Sequence, residues 1–223
     1  MWQRQRRLLA TYWRQATLTR TWQGVDMAEI VLIRHGETEW SKSGQHTGRT
    51  DIPLTRNGRK RAAELEPLLR HRAFGLTLSS PMERARDTAA LAGLKPDGID
   101  NDLVEWDYGA WEGRTTPDIR VELGDPNWVI WDHPIPPGKT PGETTDEVAL
   151  RCHRVIERCL PVLDAGRDCA LVAHGHVLRI LTATWLGLHS DAGRLFMLEA
   201  GALSSLGFER TQHVITGWNQ TPE

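Results

Sequence analysis

A chain of 223 residues and 25.2 kDa suits one α/β domain with a substantial core and leaves little room for a second. Its net charge of -2 at pH 7 gives no reason to expect nucleic acid or a membrane surface as a partner, and no apolar run approaches the roughly 20 residues that span a bilayer. The three cysteines, Cys152, Cys159 and Cys169, show neither a CxxC pair nor a zinc spacing, and they read as reduced thiols of a cytoplasmic protein.

Residues 1–26 stand apart from the rest. They carry Arg4, Arg6, Arg7, Arg14 and Arg20 against the single acid Asp26, together with Trp2, Trp13 and Trp22. The Arg6-Arg7 pair lacks the apolar core and cleavage site of an export signal. The stretch therefore reads as a flexible or weakly helical extension ahead of Met27, with a surface- or partner-binding helix as its alternative, and a single domain is expected over 27–223. Ile30-Val31-Leu32-Ile33 follows as a buried strand ending in Arg34-His35-Gly36. Residues 36–53 are polar and read as a loop. Thr55 is a candidate N-cap for a helix carrying Ala62, Ala63, Leu65, Leu68 and Leu69 at helical spacing. A strand over Leu76–Ser79 is followed by Ser80-Pro81-Met82-Glu83, the pattern of a capping box, and a helix to about Leu91.

From Pro96 to Gly142 the chain is rich in proline, glycine and tryptophan, with short helical stretches expected at 117–122 and 127–131, and it reads as a lid. A longer helix over 144–163, a second apolar run ending in Ala173-His174-Gly175-His176, a helix over 177–186, and strands at 202–209 and 214–218 complete the order. This alternation predicts a three-layer α/β/α sandwich with a mostly parallel central sheet. Ligands of such sheets bind beyond the carboxyl ends of the strands, so His35 and His174 face one pocket if their strands are neighbours.

The chain has no P-loop, HExxH helix, GxSxG elbow or GxGxxG fingerprint. Four segments in order, Arg34-His35-Gly36-Glu37-Thr38, Ser79 to Ala89 around Arg84, Glu105 to Gly113, and His174-Gly175, resemble the motifs of the histidine phosphatase superfamily, the phosphoglycerate mutase-like family. The stretch 105–119 is most similar to the family's actinobacterial-type acid phosphatases. The resemblance implies a metal-independent phosphomonoester hydrolase that needs no cofactor and works through a phosphohistidine. His35 would be the nucleophile, kept neutral by Arg34 and Arg84. Both arginines would bind the phosphoryl oxygens through their planar forks. His174 would be a protonated donor with the Gly175 N–H beside it, and Glu105 the general acid, its proton retained within the tryptophan-rich lid. Ser41, Thr47 and Gly48 fall where the family lines its substrate site, although the family often has asparagine at the position of Ser41 and an aromatic residue at that of His46.

Each role has a local competitor: Arg86 for Arg84, and Asp107 and Glu112 for Glu105. Glu143 reads as part of a helix start, and His176 as structural. The partner implied is a small phosphorylated metabolite. A phosphoglycerate mutase and a non-catalytic phospho-ligand binder are the alternatives, the first disfavoured by the compact segment after Glu105, the second by the presence of every expected site residue. Trp106, Trp111, Trp128 and Trp131 suit either stacking on a leaving group or a small satellite core. The oligomeric state, a homodimer included, is left open.

Overall fold

In the computed structural model, residues 28–222 are described, so the basic extension expected over 1–26 lies outside the described residues. Strands β1 (Ile30–Arg34), β2 (Phe74–Ser79), β3 (Gly98–Ile99), β4 (Asp168–Ala173), β5 (Leu203–Glu209) and β6 (Gln212–Gln220) form one sheet in the order β3-β2-β4-β1-β5-β6. β3, β2, β4 and β1 run parallel, whereas β5 pairs antiparallel with both β1 and β6.

The apolar run of β1 is continuous because both of its faces are covered. Ile30 and Leu32 point into one core with helices α6 (Thr145–Asp164) and α7 (Gly175–Trp185). Val31 and Ile33 point into the other, with Leu65, Leu69, Ala85 and Ala89. The molecule is therefore the three-layer α/β/α sandwich expected. All three cysteines are buried free thiols. No helix among the described residues is long and apolar enough to cross a membrane.

Local expectations fail in four places. Within the expected loop, Glu39–Ser43 forms a short helix, α1, because Thr38 and Ser41 build a reciprocal cap and Gly44 ends the turn with a left-handed backbone. The single helix expected after Thr55 is two, α2 (Arg56–Ala63) and α3 (Glu66–Leu69). Pro67 has no N–H to offer the Ala63 carbonyl, which breaks the ladder there. The helix after β2 is α4 (Glu83–Leu91), and Ser80 does not cap it. Instead Asp51, from the loop after α1, accepts the Glu83 N–H at 2.9 and 3.0 Å.

Residues 127–131 form turns, not the short helix expected, with Trp128 buried and its carbonyl held by Arg120 Nε at 2.9 Å. Helix α5 (Thr116–Leu123) does form nearby, capped by Thr115 and Asp118. The expected lid is thereby a packed wall. Trp106, Tyr108, Trp111, Ile119, Trp128 and Ile130 belong to the same buried cluster as α6 and α7, so these tryptophans serve the core.

Parallel pairing of β1 with β4 brings their carboxyl ends side by side, and the His35 N–H extends the ladder to the Ala173 carbonyl at 2.9 Å. On the far side of β4, the Ser80 N–H reaches Val172 O at 2.9 Å, so β2 delivers a third residue to the same edge. Two glycines set how closely α2 approaches it. A Cβ on Gly36 would lie 2.4 Å from the Gly58 carbonyl oxygen, and one on Gly58 would lie 2.1 Å from that of Glu37. Gly58→Ala must push backbone against backbone, and it is expected to lower stability by about 1–3 kcal/mol. The measurement is a fall in the urea midpoint with an unchanged m-value.

Candidate active site

His35 stands one residue past β1 and is almost wholly buried. Its Nδ1 lies 2.7 Å from its neighbour's carbonyl, Gly36 O, which can only accept. Nδ1 therefore carries the proton and Nε2 keeps a lone pair. Burial first, then the charges of Arg84 and Arg34, hold the His35 pKa well below 6.5, so the ring is neutral. The turn itself is fixed by Thr88, whose hydroxyl accepts the Gly36 N–H at 3.0 Å and donates to Arg84 O at 2.7 Å.

Arg34, the last residue of β1, donates from NH1 to the Leu198 carbonyl, while its buried Nε has no hydrogen-bond partner. Gly175 packs against this guanidinium, with a Cβ there lying 3.3 Å from its Cζ and Nε. An orphaned charged donor beside a strand-end histidine is a place where an anion belongs.

Arg84, in the first turn of α4, has no exposure at all. Its Nε donates to His174 Nδ1 at 3.1 Å, NH1 to Thr50 O at 2.9 Å, and NH2 to Thr47 O and Gly48 O at 3.3 and 3.1 Å. Asp51 adds a charge 3.6 Å from NH1. The fork expected to grip phosphate is thus largely spent on the loop that runs past it. Its competitor Arg86 is exposed.

His174 occupies the N-cap position of α7 without a side-chain cap hydrogen bond, and its ring centroid lies 5.1 Å from that of His35. It is not the protonated donor expected. Burial, Arg84, His35 and Arg34 together hold its pKa well below 6.5. Because Nδ1 accepts from Arg84, the remaining proton sits on Nε2 and points to Ser80 Oγ at 2.7 Å. The ring is therefore a neutral donor. Ser80 Oγ also accepts the Met82 N–H, at 3.4 Å, but Met82 is the N-cap residue of α4, so Ser80 stands ahead of the position from which it was expected to cap.

Glu105 is buried at the amino end of α7. Oε1 accepts from Val177 N at 2.8 Å and Trp106 N at 2.9 Å, and Oε2 from His176 N at 3.0 Å. The carboxyl is held by the first orphan amides of a helix as well as by its own chain. Its competitors have other partners. Asp107 binds the Gly109 N–H and the Thr140 hydroxyl. Glu112 accepts the Gly48 and Thr50 N–H groups at 2.9–3.0 Å, which fixes the loop whose carbonyls hold Arg84. Glu143 is more than a helix start, because it binds Arg151, Arg49 and the Asp107 N–H.

The three loop residues expected to line the site sit as follows. The Ser41 hydroxyl is engaged with both the N–H and the carbonyl of Thr38. Thr47 donates its hydroxyl to Gln45 O, and the Gly48 N–H faces Glu112. Thr47 and Gly48 meet the site through their carbonyls, on Arg84. His176 hydrogen-bonds Tyr108 at Nδ1, with Trp131 and Trp106 packed edge-on at 4.9 and 5.6 Å, and burial keeps it neutral. His46, 5.0 Å from Tyr108, has its pKa lowered to about 4 by burial.

Thr88, Asp51 and Arg151 are not singled out by the sequence, Ser80 is singled out only as a helix cap, and Glu112 only as a competitor of Glu105. Ser80, Thr88 and Glu112 lie inside the quoted motifs, where position was their one signal. Asp51 and Arg151 carried none, being charged residues on a loop and a helix.

The family model described as the histidine phosphatase superfamily, branch 1, matches residues 30–221. An acid phosphatase of Mycobacterium tuberculosis is 36% identical over 188 residues, which covers 83% of this chain and 89% of that protein. A probable phosphoglycerate mutase of Cronobacter sakazakii is 32% identical over 201 residues, covering 86% and 90%. A structure solved for an open reading frame of Mycobacterium tuberculosis superposes with a TM-score of 0.81 at 34% identity, covering 88% of this chain and 99% of that one.

The buried neutral imidazoles make stability depend on pH. An unfolded histidine binds its proton below about 6.5, whereas native His35, His174 and His176 do so only at much lower pH. The unfolded state thus binds more protons on the acid side, and stability falls as pH drops below 6.5. Each imidazole contributes up to about 1.4 kcal/mol per pH unit in that window and nothing above it. Urea titrations between pH 7 and pH 5 should show a shallower fall for His35→Gln and for His174→Gln. An unchanged slope in both would contradict the assignment.

Proposed function

The chain belongs to the histidine phosphatase superfamily, and from that premise we propose that it hydrolyses small phosphomonoesters, without a metal, by way of a phosphohistidine on His35. The observation that carries this reading is the fixed tautomer of His35. With its Nδ1 proton on Gly36 O at 2.7 Å, the lone pair of Nε2 is free to attack phosphorus.

In the first step the Nε2–P bond forms and the ester P–O bond breaks. The leaving oxygen takes a proton from Glu105, which enters the reaction as the acid. In the second step the carboxylate accepts a proton from water as the water oxygen attacks phosphorus. The N–P bond breaks, inorganic phosphate is released, and His35 is regenerated neutral. The protein's main task is to stabilise charge on the equatorial oxygens. The orphaned Arg34 Nε meets one oxygen, Arg84 supplies a nearby buried positive charge, and the His174 Nε2 proton turns from Ser80 to the phosphoryl group. Because its Nδ1 accepts from Arg84 Nε, His174 donates from Nε2 as a neutral ring. Gly175 lets the Arg34 guanidinium approach closely.

Ser41 holds α1, and Thr47 and Gly48 hold Arg84, so their part in substrate binding is to place other groups. Because His35 stays neutral well below pH 6.5, the nucleophile remains available in mild acid. This agrees with the similarity to an acid phosphatase. The substrate is a small phosphorylated metabolite, and a homodimer remains compatible with the reading.

The wild type should release phosphate from p-nitrophenyl phosphate undiminished by chelator, and His35→Ala should lower kcat/KM by about a thousandfold or more. An alkaline quench during turnover should leave phosphate on His35. Chelator inhibition reversed by a divalent metal, or full activity in His35→Ala, would overturn the proposal. Conversion of 3- to 2-phosphoglycerate faster than phosphate release would favour the mutase.

A further inference from the structure

Glu105 is held at its carboxyl by α7, but its backbone is held by two residues that take no part in the chemistry. Arg151, in the second turn of α6, sends NH1 to the carbonyls of Asp102 and Val104 at 2.7 and 2.9 Å. Its Nε and NH2 grip Glu143 bidentately at 2.8 and 2.9 Å. Glu143 completes the clamp from the other side, accepting the Asp107 N–H on Oε2 at 3.0 Å and the Trp106 indole N–H on its carbonyl at 2.7 Å. The pair is largely buried, with side chains 11% and 16% exposed, so its hydrogen bonds compete little with water. With the Glu143 N–H donated to the Asp107 carbonyl at 3.0 Å, five polar contacts bracket residue 105 on both sides, and all of them pass through one arginine–glutamate pair.

We propose that Arg151, through Glu143 and the backbone of residues 102–107, is a positioning residue that fixes the carboxyl of Glu105 for protonation of the leaving oxygen. The inference rests on Glu105 being the acid. A general acid contributes only when its proton lies within hydrogen-bond reach of the leaving oxygen, so a small displacement costs rate without abolishing substrate binding. Lysine cannot replace Arg151, because one ammonium cannot span two carbonyls and grip a carboxylate bidentately.

The test compares leaving groups, using kcat/KM because it reports the transfer to His35 and not the later attack of water. An alkoxide needs the acid, whereas p-nitrophenolate departs without it. In Arg151→Met, kcat/KM for glycerol 2-phosphate should fall by about 10- to 100-fold, while that for p-nitrophenyl phosphate changes less than about threefold. Arg151→Lys should lie between Arg151→Met and the wild type, and Glu105→Gln should show the same selectivity more strongly. The p-nitrophenyl phosphate arm also reports that each variant folds. Equal losses on both substrates in Arg151→Met and Arg151→Lys, or no loss in either while Glu105→Gln remains selective, would overturn the positioning role alone. A nonselective Glu105→Gln would overturn the acid assignment, and the clamp with it.

Discussion

A guanidinium with no access to water must find acceptors inside the protein, because an unpaired buried charge costs several kcal/mol. Arg84 is in that position, and its acceptors come from distant parts of the chain. His174 arrives from the end of β4, and the carbonyls of Thr47, Gly48 and Thr50 arrive from the loop after α1. That loop can present carbonyls inward only because Glu112 accepts its N–H groups from the other side. The need to satisfy one side chain therefore couples the loop after α1, the second histidine and the segment that carries Glu105.

The same charge, with Arg34, acts on protonation. Desolvation is the larger cause, but both arginines push in the same direction, and His35 and His174 stay neutral. One electrostatic arrangement thus leaves a lone pair on His35 and a field that attracts an anion. The buried, unpartnered Arg34 Nε is the residual cost of keeping that field inside the fold.

The sheet and its histidines are legible in the sequence for a physical reason. Strands buried on both faces must be apolar throughout, so β1 and β4 stand out, and glycine beside each histidine marks close backbone approach. Helix ends were less legible. Ser80 has the residue type and spacing of a cap, yet α4 begins later, at the Met82 N-cap position, and Asp51 caps it from across the loop. A cap is read from local sequence only when no distant partner competes for it. The segment 127–131 fails likewise, because burial of Trp128 outweighs a weak local preference for helix. Tryptophans that suited a lid equally well turned inward, where they bury the most apolar area.

By itself the sequence determined the layer order, the strands that end in His35 and His174, and the family resemblance that singled out Arg34, Arg84 and Glu105. Those are properties of composition and short spacing, which survive in one dimension. Only the tertiary structure decided the partners: the tautomer of His35, the neutral state of His174, the commitment of Ser41 to a cap, and the clamp of Arg151 and Glu143 on the backbone around Glu105. Protonation and hydrogen-bond choice depend on which groups are brought within about 3 Å of one another away from water. The chain brings those groups together only once both faces of its sheet are covered.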